Sequence, residues 1–363
     1  MQAPDAPSTV QSPVSALRVA VLSMSGDDEV GLGLCEAFRA NECRVEFLSL
    51  NGQWPTGIDL YVIYGPMAPI GPLLLRLRSL PQRPSVAVWY TEPLPPPQPN
   101  WALRGGVFVR GATDALLRGG APLLGAQRVE HLSRKAGRLR ACSEMMLLHR
   151  WRMMDLLAVF TRRHAQVFGA WGLPAEIIPM GACSSFGRPM GLNRDIDVAF
   201  IGSTSDRRRG PIVDGLARRL AAMGIELVIR DGSPEHGYVF GAERAEMLNR
   251  TKILLSVMRQ PWDDPVFRLL LAAPNGAMVL SEPVNDSGPF VSGRHFAIAC
   301  VKDMPAVVRH YLRAEEECRE ISEAAFNLVT QELTMAAMAR RFLLAWQSRT
   351  SCTSSIALPV PQG

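Results

Sequence analysis

Short runs that are apolar on both faces recur along the first half of the chain: LRVAVLSM (17–24), RVEFLSL (44–50), DLYVIYGP (59–66) and SVAVWYTEP (85–93). Helical segments separate them, from about Val30 to Ala40 and over GPLLLRLRSL. Strands without a polar face need cover on both sides, and intervening helices supply it, so the pattern predicts a parallel sheet. Clustered prolines in LPPPQP (94–99) end the pattern, because proline removes backbone donors and fixes φ. Beyond them VFVRG reads as a short strand and RVEHLSRKAGRLRACSEMMLLHRW as one or two Arg-rich helices. Order returns over 155–181 with a strand, a helix, a Gly-Leu-Pro break and the strand IIPMG.

Residues 182–194 contain Gly, Pro and Ser without an apolar period, and they are expected to link two domains. After them the alternation resumes. Strands are predicted at 196–202, 225–230, 252–258 and 277–283, with a shorter one in HFAIAC. Helices are predicted at 211–223, 242–250, 265–274 and, beyond HFAIAC, roughly 303–328 and 332–347. The expected organisation is therefore α/β throughout: loose ends at 1–15 and 349–363, a first domain over 16–181, a second over 195–330 and a terminal helix over 331–348.

A length of 363 residues with 47% hydrophobic content suits two domains of ordinary size. The net charge of +5 is spread thinly and comes from arginine, since Lys135, Lys252 and Lys302 are the only lysines. A small phosphorylated ligand accounts for that balance as well as nucleic acid does. The Arg-rich segment 134–163 interleaves its arginines with Met and Leu, the pattern of an amphipathic helix on a core or a partner. Nucleic acid is not the expected partner, and peripheral contact with a membrane near a lipid acceptor is the other use such a helix has. No run of eighteen apolar residues exists and the first residues lack a signal-peptide pattern, so a soluble, cytoplasmic protein is expected. The seven cysteines form no CxxC pair and no Cys/His metal spacing; reduced thiols, no metal and no resident cofactor are expected.

Candidate chemistry concentrates between Asp195 and Pro283. In VAFIGSTSDRRRGP an apolar strand delivers Gly202, Ser203 and Thr204 to its carboxyl end, where an open parallel sheet places ligands. Pro211 suits a first helical turn, whose N–H groups and positive dipole end favour an anion. Arg207, Arg208 and Arg209 add fork-shaped donors that match phosphate oxygens, although an Arg-rich surface turn has the same sequence. Further on, Arg268 stands early in an apolar helix that Asn275-Gly276 is expected to close in the left-handed conformation. A cation there needs a partner, either a ligand phosphate or the neighbouring Asp263 or Asp264.

The order of these blocks, FIGS, the Gly-Tyr-Val-Phe-Gly loop, NRTKILLSV, then R-x7-G-A-x-x-L-S-E-P and a helical C-terminal region, resembles the donor-binding half of group 1 glycosyltransferases over about 155–345. It is most similar to those resembling spore-maturation proteins of bacilli. The resemblance implies two Rossmann-like domains with parallel sheets facing across a cleft (GT-B), and a terminal helix that returns towards the first domain. It also implies transfer of a hexosyl group from a nucleotide-sugar to a hydroxyl of a glycan, lipid, protein or small molecule, with arginines and a helix N-terminus stabilising the leaving diphosphate. By the same resemblance Gly202, Ser203 and Arg208 or Arg209 face that diphosphate, and the backbone near Tyr238 and Val239 lines the base. Arg268 matches the family's Arg eight residues before the Gly, Asn275-Gly276 its Cys-Gly or Thr-Gly turn, and Asp263, or equally Asp264, the first acid that many retaining members carry. One departure stands out. Where the family usually carries a ribose-binding Glu, this chain has Leu271, which accepts no hydrogen bond, so a catalytically inactive binding or scaffold protein is the alternative.

For the acceptor side, Asp27, Asp28 or Glu29 and, after the fourth strand, Glu92 are candidate general bases; Asp28 and Glu92 are the leading pair. The three acids at 27–29 also suit the cap of the first helix. Of the six histidines, His164 and His236 are placed to approach the cleft.

Overall fold

The computed structural model describes residues 17–23, 28–49, 52–65, 77–80, 84–92, 94, 105, 109, 142 and 145–354. Asp27, residues 95–99, most of VFVRG and of the Arg-rich helices, and both ends at 1–15 and 355–363 lie outside the described residues; Val109, within VFVRG, is helical and exposed where a strand is expected.

The first sheet comprises β1 (Arg18–Ser23), β2 (Arg44–Ser49), β3 (Leu60–Tyr64), β4 (Ser85–Tyr90), β5 (Leu156–Val159) and β6 (Glu176–Ile177), all parallel in the order β2-β1-β3-β4-β5-β6. The helix α1 (Glu29–Arg39) joins β1 to β2, and α2 (Arg162–Ala170) joins β5 to β6. The second sheet is built from β7 (Ile196–Ile201), β8 (Leu227–Arg230), β9 (Thr251–Ser256), β10 (Met278–Ser281) and β11 (Ala297–Ile298), again all parallel, in the order β11-β10-β9-β7-β8. Its crossovers include α3 (Arg209–Ala221), α4 (Gly241–Arg250) and α5 (Val266–Ala272), and the chain ends in α6 (Met304–Arg313), α7 (Glu315–Asn327) and α8 (Met335–Ser354).

Both sheets begin with the order second-first-third strand. The chain reverses its winding between β1 and β3 and again between β7 and β9, so each sheet has one crevice at the carboxyl ends of those strands. Most strands are buried on both faces, as their apolar runs require: β3, β5 and β10 have no exposed residue, whereas the edge strand β2 exposes Arg44 and Glu46.

The stretch 182–194 is no bare tether. Ala182 bridges to Thr334, and Phe186 is fully buried. The last helix packs on the first sheet: Phe342 stacks on Trp89 with centroids 4.7 Å apart, and the Trp346 indole donates to Ser85 Oγ at 2.7 Å. That helix runs on to Ser354, through residues expected to be loose.

The two sheets meet at their carboxyl edges. On one flank Arg244, in the first turn of α4, pairs with Glu29 at the start of α1 at 2.7 Å. On the other, the Arg163 amide donates to Asp286 at 3.1 Å, its guanidinium to the Trp262 carbonyl at 3.2 Å, and the Trp262 indole to the Leu94 carbonyl at 3.2 Å.

Candidate functional site

The crevice between β7 and β9 carries the charge. β7 leads directly into Gly202, whose φ of +141° lies where side chains are rarely tolerated. A Cβ there would also sit 3.2 Å from an Arg268 Nη and 3.3 Å from an Arg209 Nη. The backbone conformation calls for glycine, and the tight approach leaves two guanidinium groups close over its Cα. Both cations also lie over the Phe200 ring, at 5.6 Å for Arg268 and 5.9 Å for Arg209.

Arg268 spans the crevice. Its Nη1 donates to Ser256 Oγ (3.1 Å) and the Val257 carbonyl (3.3 Å) at the end of β9, and its Nη2 to the Ile201 carbonyl (3.3 Å) at the end of β7. All three acceptors are neutral and the bonds are long. Among the described residues no carboxylate forms an ion pair with it. Burial first, and then the Arg209 charge, push its pKa down to about 9.

The other arginines are differently placed. Arg208 binds Glu282 through both Nη atoms and donates to the Met258 carbonyl at 2.7 Å, while Glu282 also accepts the Met258 amide at 2.9 Å. The fork expected to hold phosphate is therefore spent on a buried carboxylate. Arg209 is buried and donates to the Ser203 carbonyl at 3.1 Å, shaping the loop from inside. The N-terminus of α3, expected to point at an anion, already has one: Asp206 Oδ1 accepts the amides of Arg208 (3.0 Å) and Arg209 (2.6 Å). An acidic side chain at a helix start is favoured by the same dipole that would favour a ligand. Ser203 bonds Ser205 at 2.8 Å, and Thr204 donates to Asp231 at the end of β8, tying the loop down.

Tyr238 and Phe240 form an exposed aromatic pair 4.5 Å apart on the loop before α4, with Val239 buried between them. A Cβ on Gly232, just past the carboxyl end of β8, would lie 3.6 Å from the Tyr238 ring, so this loop sits at the same edge of the sheet, beside β7. Asp263 accepts the Gln260 amide at 3.1 Å in the loop that precedes α5.

Asn275 and Gly276 are not brought to this edge. Gly276 does close the helical segment with φ +69°, as the sequence predicts. The segment starts at the carboxyl edge, however, and its far end opens β10 at the opposite one. There Asn275 is buried, donating to the carbonyls of Phe186 (2.9 Å) and Leu271 (2.8 Å) and accepting from Asn249 (2.8 Å). Its expected contact with a donor gives way to a structural one. Leu271 packs against the core.

In the first sheet the corresponding crevice lies between β1 and β3. Asp28 caps α1 by accepting the Gly31 amide at 2.9 Å, and its other oxygen accepts the Tyr64 hydroxyl. Both oxygens of this candidate base are engaged. Burial, with Asp28 second, raises the Tyr64 pKa well above the usual phenol range. The glycines here serve packing: a Cβ on Gly31 would lie 2.2 Å from Phe47 and from the Tyr64 hydroxyl, and one on Gly33 2.4 Å from Cys183. Glu92 follows β4, and its carbonyl bonds His164 Nε2 at 3.2 Å.

Ser256, Asp206 and Glu282 carry this geometry without having been singled out. A small polar residue ending the apolar run KILLS, and an acid between β10 and a proline, were the available signals.

Two Rossmann-like α/β units with parallel sheets facing across a cleft define a GT-B arrangement, and solved structures share it. A glycosyltransferase from Rickettsia africae ESF-5 superposes with a TM-score of 0.56 at 8% identity, covering 93% of this chain and 99% of that one. HepE from Anabaena, crystallised with UDP and glucose, gives 0.50 at 11% identity, covering 92% and 100%. TarM of S. aureus gives 0.50 at 9% identity and covers 79% of this chain, which spans about half (54%) of TarM. A family model described as glycosyl transferase-like matches residues 197–344, which hold the second sheet and most of the helices after it. No curated protein matches the sequence. Among the described residues no helix is long and apolar enough to cross a membrane, and no group of three or more His, Cys, Asp or Glu is arranged to hold a metal ion.

Proposed function

We propose that the chain is a glycosyltransferase that binds a nucleotide-sugar in the β7/β9 crevice and transfers its hexosyl group to a hydroxyl acceptor. The observation that carries this is Arg268: a guanidinium with only neutral acceptors, beside a second cation, at the place where a doubly wound sheet takes ligands. A diphosphate supplies the missing negative charge. Gly202 and Ser203 then border it as backbone, Arg209 adds charge from beneath, and Tyr238 and Phe240 offer aromatic faces to the base. As the glycosidic bond breaks, charge gathers on the diphosphate, and a preorganised cation in a crevice is worth most at that moment. The UDP and glucose seen with HepE, and the glycosyl transferase-like match over 197–344, support the reading.

A second reading, a non-catalytic binding protein on the same fold, draws on Leu271 and on the fully engaged oxygens of Asp28. One experiment separates the two. Thermal shift with UDP, GDP and thymidine diphosphate tests binding, and a ligand at 100 times its Kd adds about 2.7 kcal/mol. Release of nucleoside diphosphate from the matching sugar donors then tests turnover. Stabilisation by none at millimolar concentration sinks both readings; stabilisation without turnover favours the second.

A further inference from the structure

Beside the donor crevice, just past β8, Asp231 ties together the two loops that the proposed nucleotide would touch. It directly follows Arg230, whose carbonyl accepts the Gly202 amide at 3.0 Å. One of its carboxylate oxygens accepts the Thr204 hydroxyl, on the loop that leaves β7. The other accepts the Ser233 amide at 2.9 Å, and His236 Nδ1 stands 3.4 Å from it. We propose that Asp231 is a positioning residue for the nucleotide-sugar donor: it fixes the phosphate-side and base-side loops relative to one another, so that diphosphate and base are bound as one unit. The assignment rests on the donor-site reading above.

On the phosphate side, the loop's carbonyl and hydroxyl groups are committed. The Ser203 carbonyl accepts Arg209 at 3.1 Å, and the Thr204 hydroxyl is spent on Asp231. The Thr204 carbonyl packs on Gly210, where a Cβ would come within 2.6 Å of it. The amides of Ser203 and Thr204, by contrast, meet no acceptor among the described residues. Open amides on a turn just after a strand suit phosphate oxygens, provided that the turn cannot swivel. Asp231, holding Thr204, stops that swivel.

On the base side, Asp231 closes the turn that leads to Tyr238. Ser233 Oγ accepts the His236 amide at 3.2 Å and lies 3.2 Å from its Nδ1. The Gly232 amide donates to the Gly237 carbonyl at 2.8 Å, and the Gly237 amide to the Ser233 carbonyl at 2.9 Å. The turn thus carries Gly232 against the Tyr238 ring, and His236 is held within it.

Charge alone argues the other way, and this makes the assignment testable by sign. Burial would lift the Asp231 pKa, but the bonds from Thr204 and Ser233 outweigh it and hold it at about 2, so the group stays a carboxylate beside a site proposed for an anion. A carboxylate near a diphosphate repels it, and removing one that has no positioning role tightens binding. Removing a positioning carboxylate weakens it.

Calorimetric titration of the whole chain with UDP, GDP and thymidine diphosphate tests the assignment, with melting temperature followed in parallel. Asp231→Ala should weaken the nucleotide that binds the unmutated chain best by about 10-fold, and Thr204→Val, which removes one hydroxyl and keeps the side-chain shape, by about 5-fold. The double variant should bind no more weakly than Asp231→Ala, because Thr204 acts through Asp231. Thr204→Ser, which keeps the hydroxyl, should bind like the unmutated chain. Equal or tighter binding by Asp231→Ala, whether or not it melts lower, overturns the assignment, and so do fully multiplied losses in the double variant. Should Asp231→Ala fail to fold, Thr204→Val decides by the same signs. Failure of the unmutated chain to bind any of the three nucleotides overturns the donor-site reading instead, and the assignment falls with it.

Discussion

Between β1 and β3 the first sheet sets a glycine-packed helix against Tyr64 and Asp28, whereas between β7 and β9 the second sets two guanidinium groups against Gly202. The strand order around the two crevices is the same. In the first, every polar group named has an internal partner: the Tyr64 hydroxyl meets Asp28, and Asp28 caps the helix. In the second, Arg268 reaches only neutral acceptors. Identical topology thus supplies a place for a ligand twice, and side-chain bookkeeping decides which place is left wanting one. A satisfied crevice stabilises the fold; an unsatisfied cation lowers stability and stores affinity.

That contrast can be broken by substitutions. The largest effect is expected away from both crevices, at Asn275. Asn275→Ala leaves the buried carbonyls of Phe186 and Leu271 short of a partner, a loss of about 3 kcal/mol in urea unfolding. Nucleoside diphosphate affinity of the folded fraction should not change, and a parallel loss of affinity would return Asn275 to the ligand site. Next is Gly31→Ala, which forces a methyl towards Phe47 and Tyr64; the overpacking should lower stability by about 2 kcal/mol, read as a fall in melting temperature. A neutral result would mean the first crevice is roomier than its packing implies. The smallest is Asp28→Ala: loss of a cap, about 1 kcal/mol, with affinity for the diphosphate intact by calorimetry.

The fold was largely legible because strands buried on both faces leave an unmistakable apolar run. VAFI, KILLS and MVLS each appear where β7, β9 and β10 lie. The places of Gly202 and Arg268 at the carboxyl edge of the sheet were legible as well, one from its position after a strand and the other as a charge early in an apolar helix. Asn275 was misassigned because sequence distance hides direction. At ~1.5 Å per residue, a helical segment carries a residue only seven positions from Arg268 roughly 10 Å away, to the other edge of the sheet. Asp206 was hidden for a different reason: a carboxylate that caps a helix and one that would leave the site free for phosphate read identically until the amides are seen to point at it. The bonds of Arg163 to Asp286 and Trp262 join positions about a hundred residues apart, in separate units, and no local pattern announces them.

The account stands on Arg268 being held for an anion. Calorimetric titration of UDP, GDP and thymidine diphosphate into the unmutated chain and into Arg268→Met tests it most directly, with melting temperature followed in parallel. At least one nucleotide should bind the unmutated chain, and Arg268→Met should weaken it about 100-fold, the loss expected for ~3 kcal/mol of charge-assisted hydrogen bonding, while melting no lower than before. Equal affinity in the two proteins, or a variant that binds as well but melts far lower, would make Arg268 a structural cation and contradict the claim.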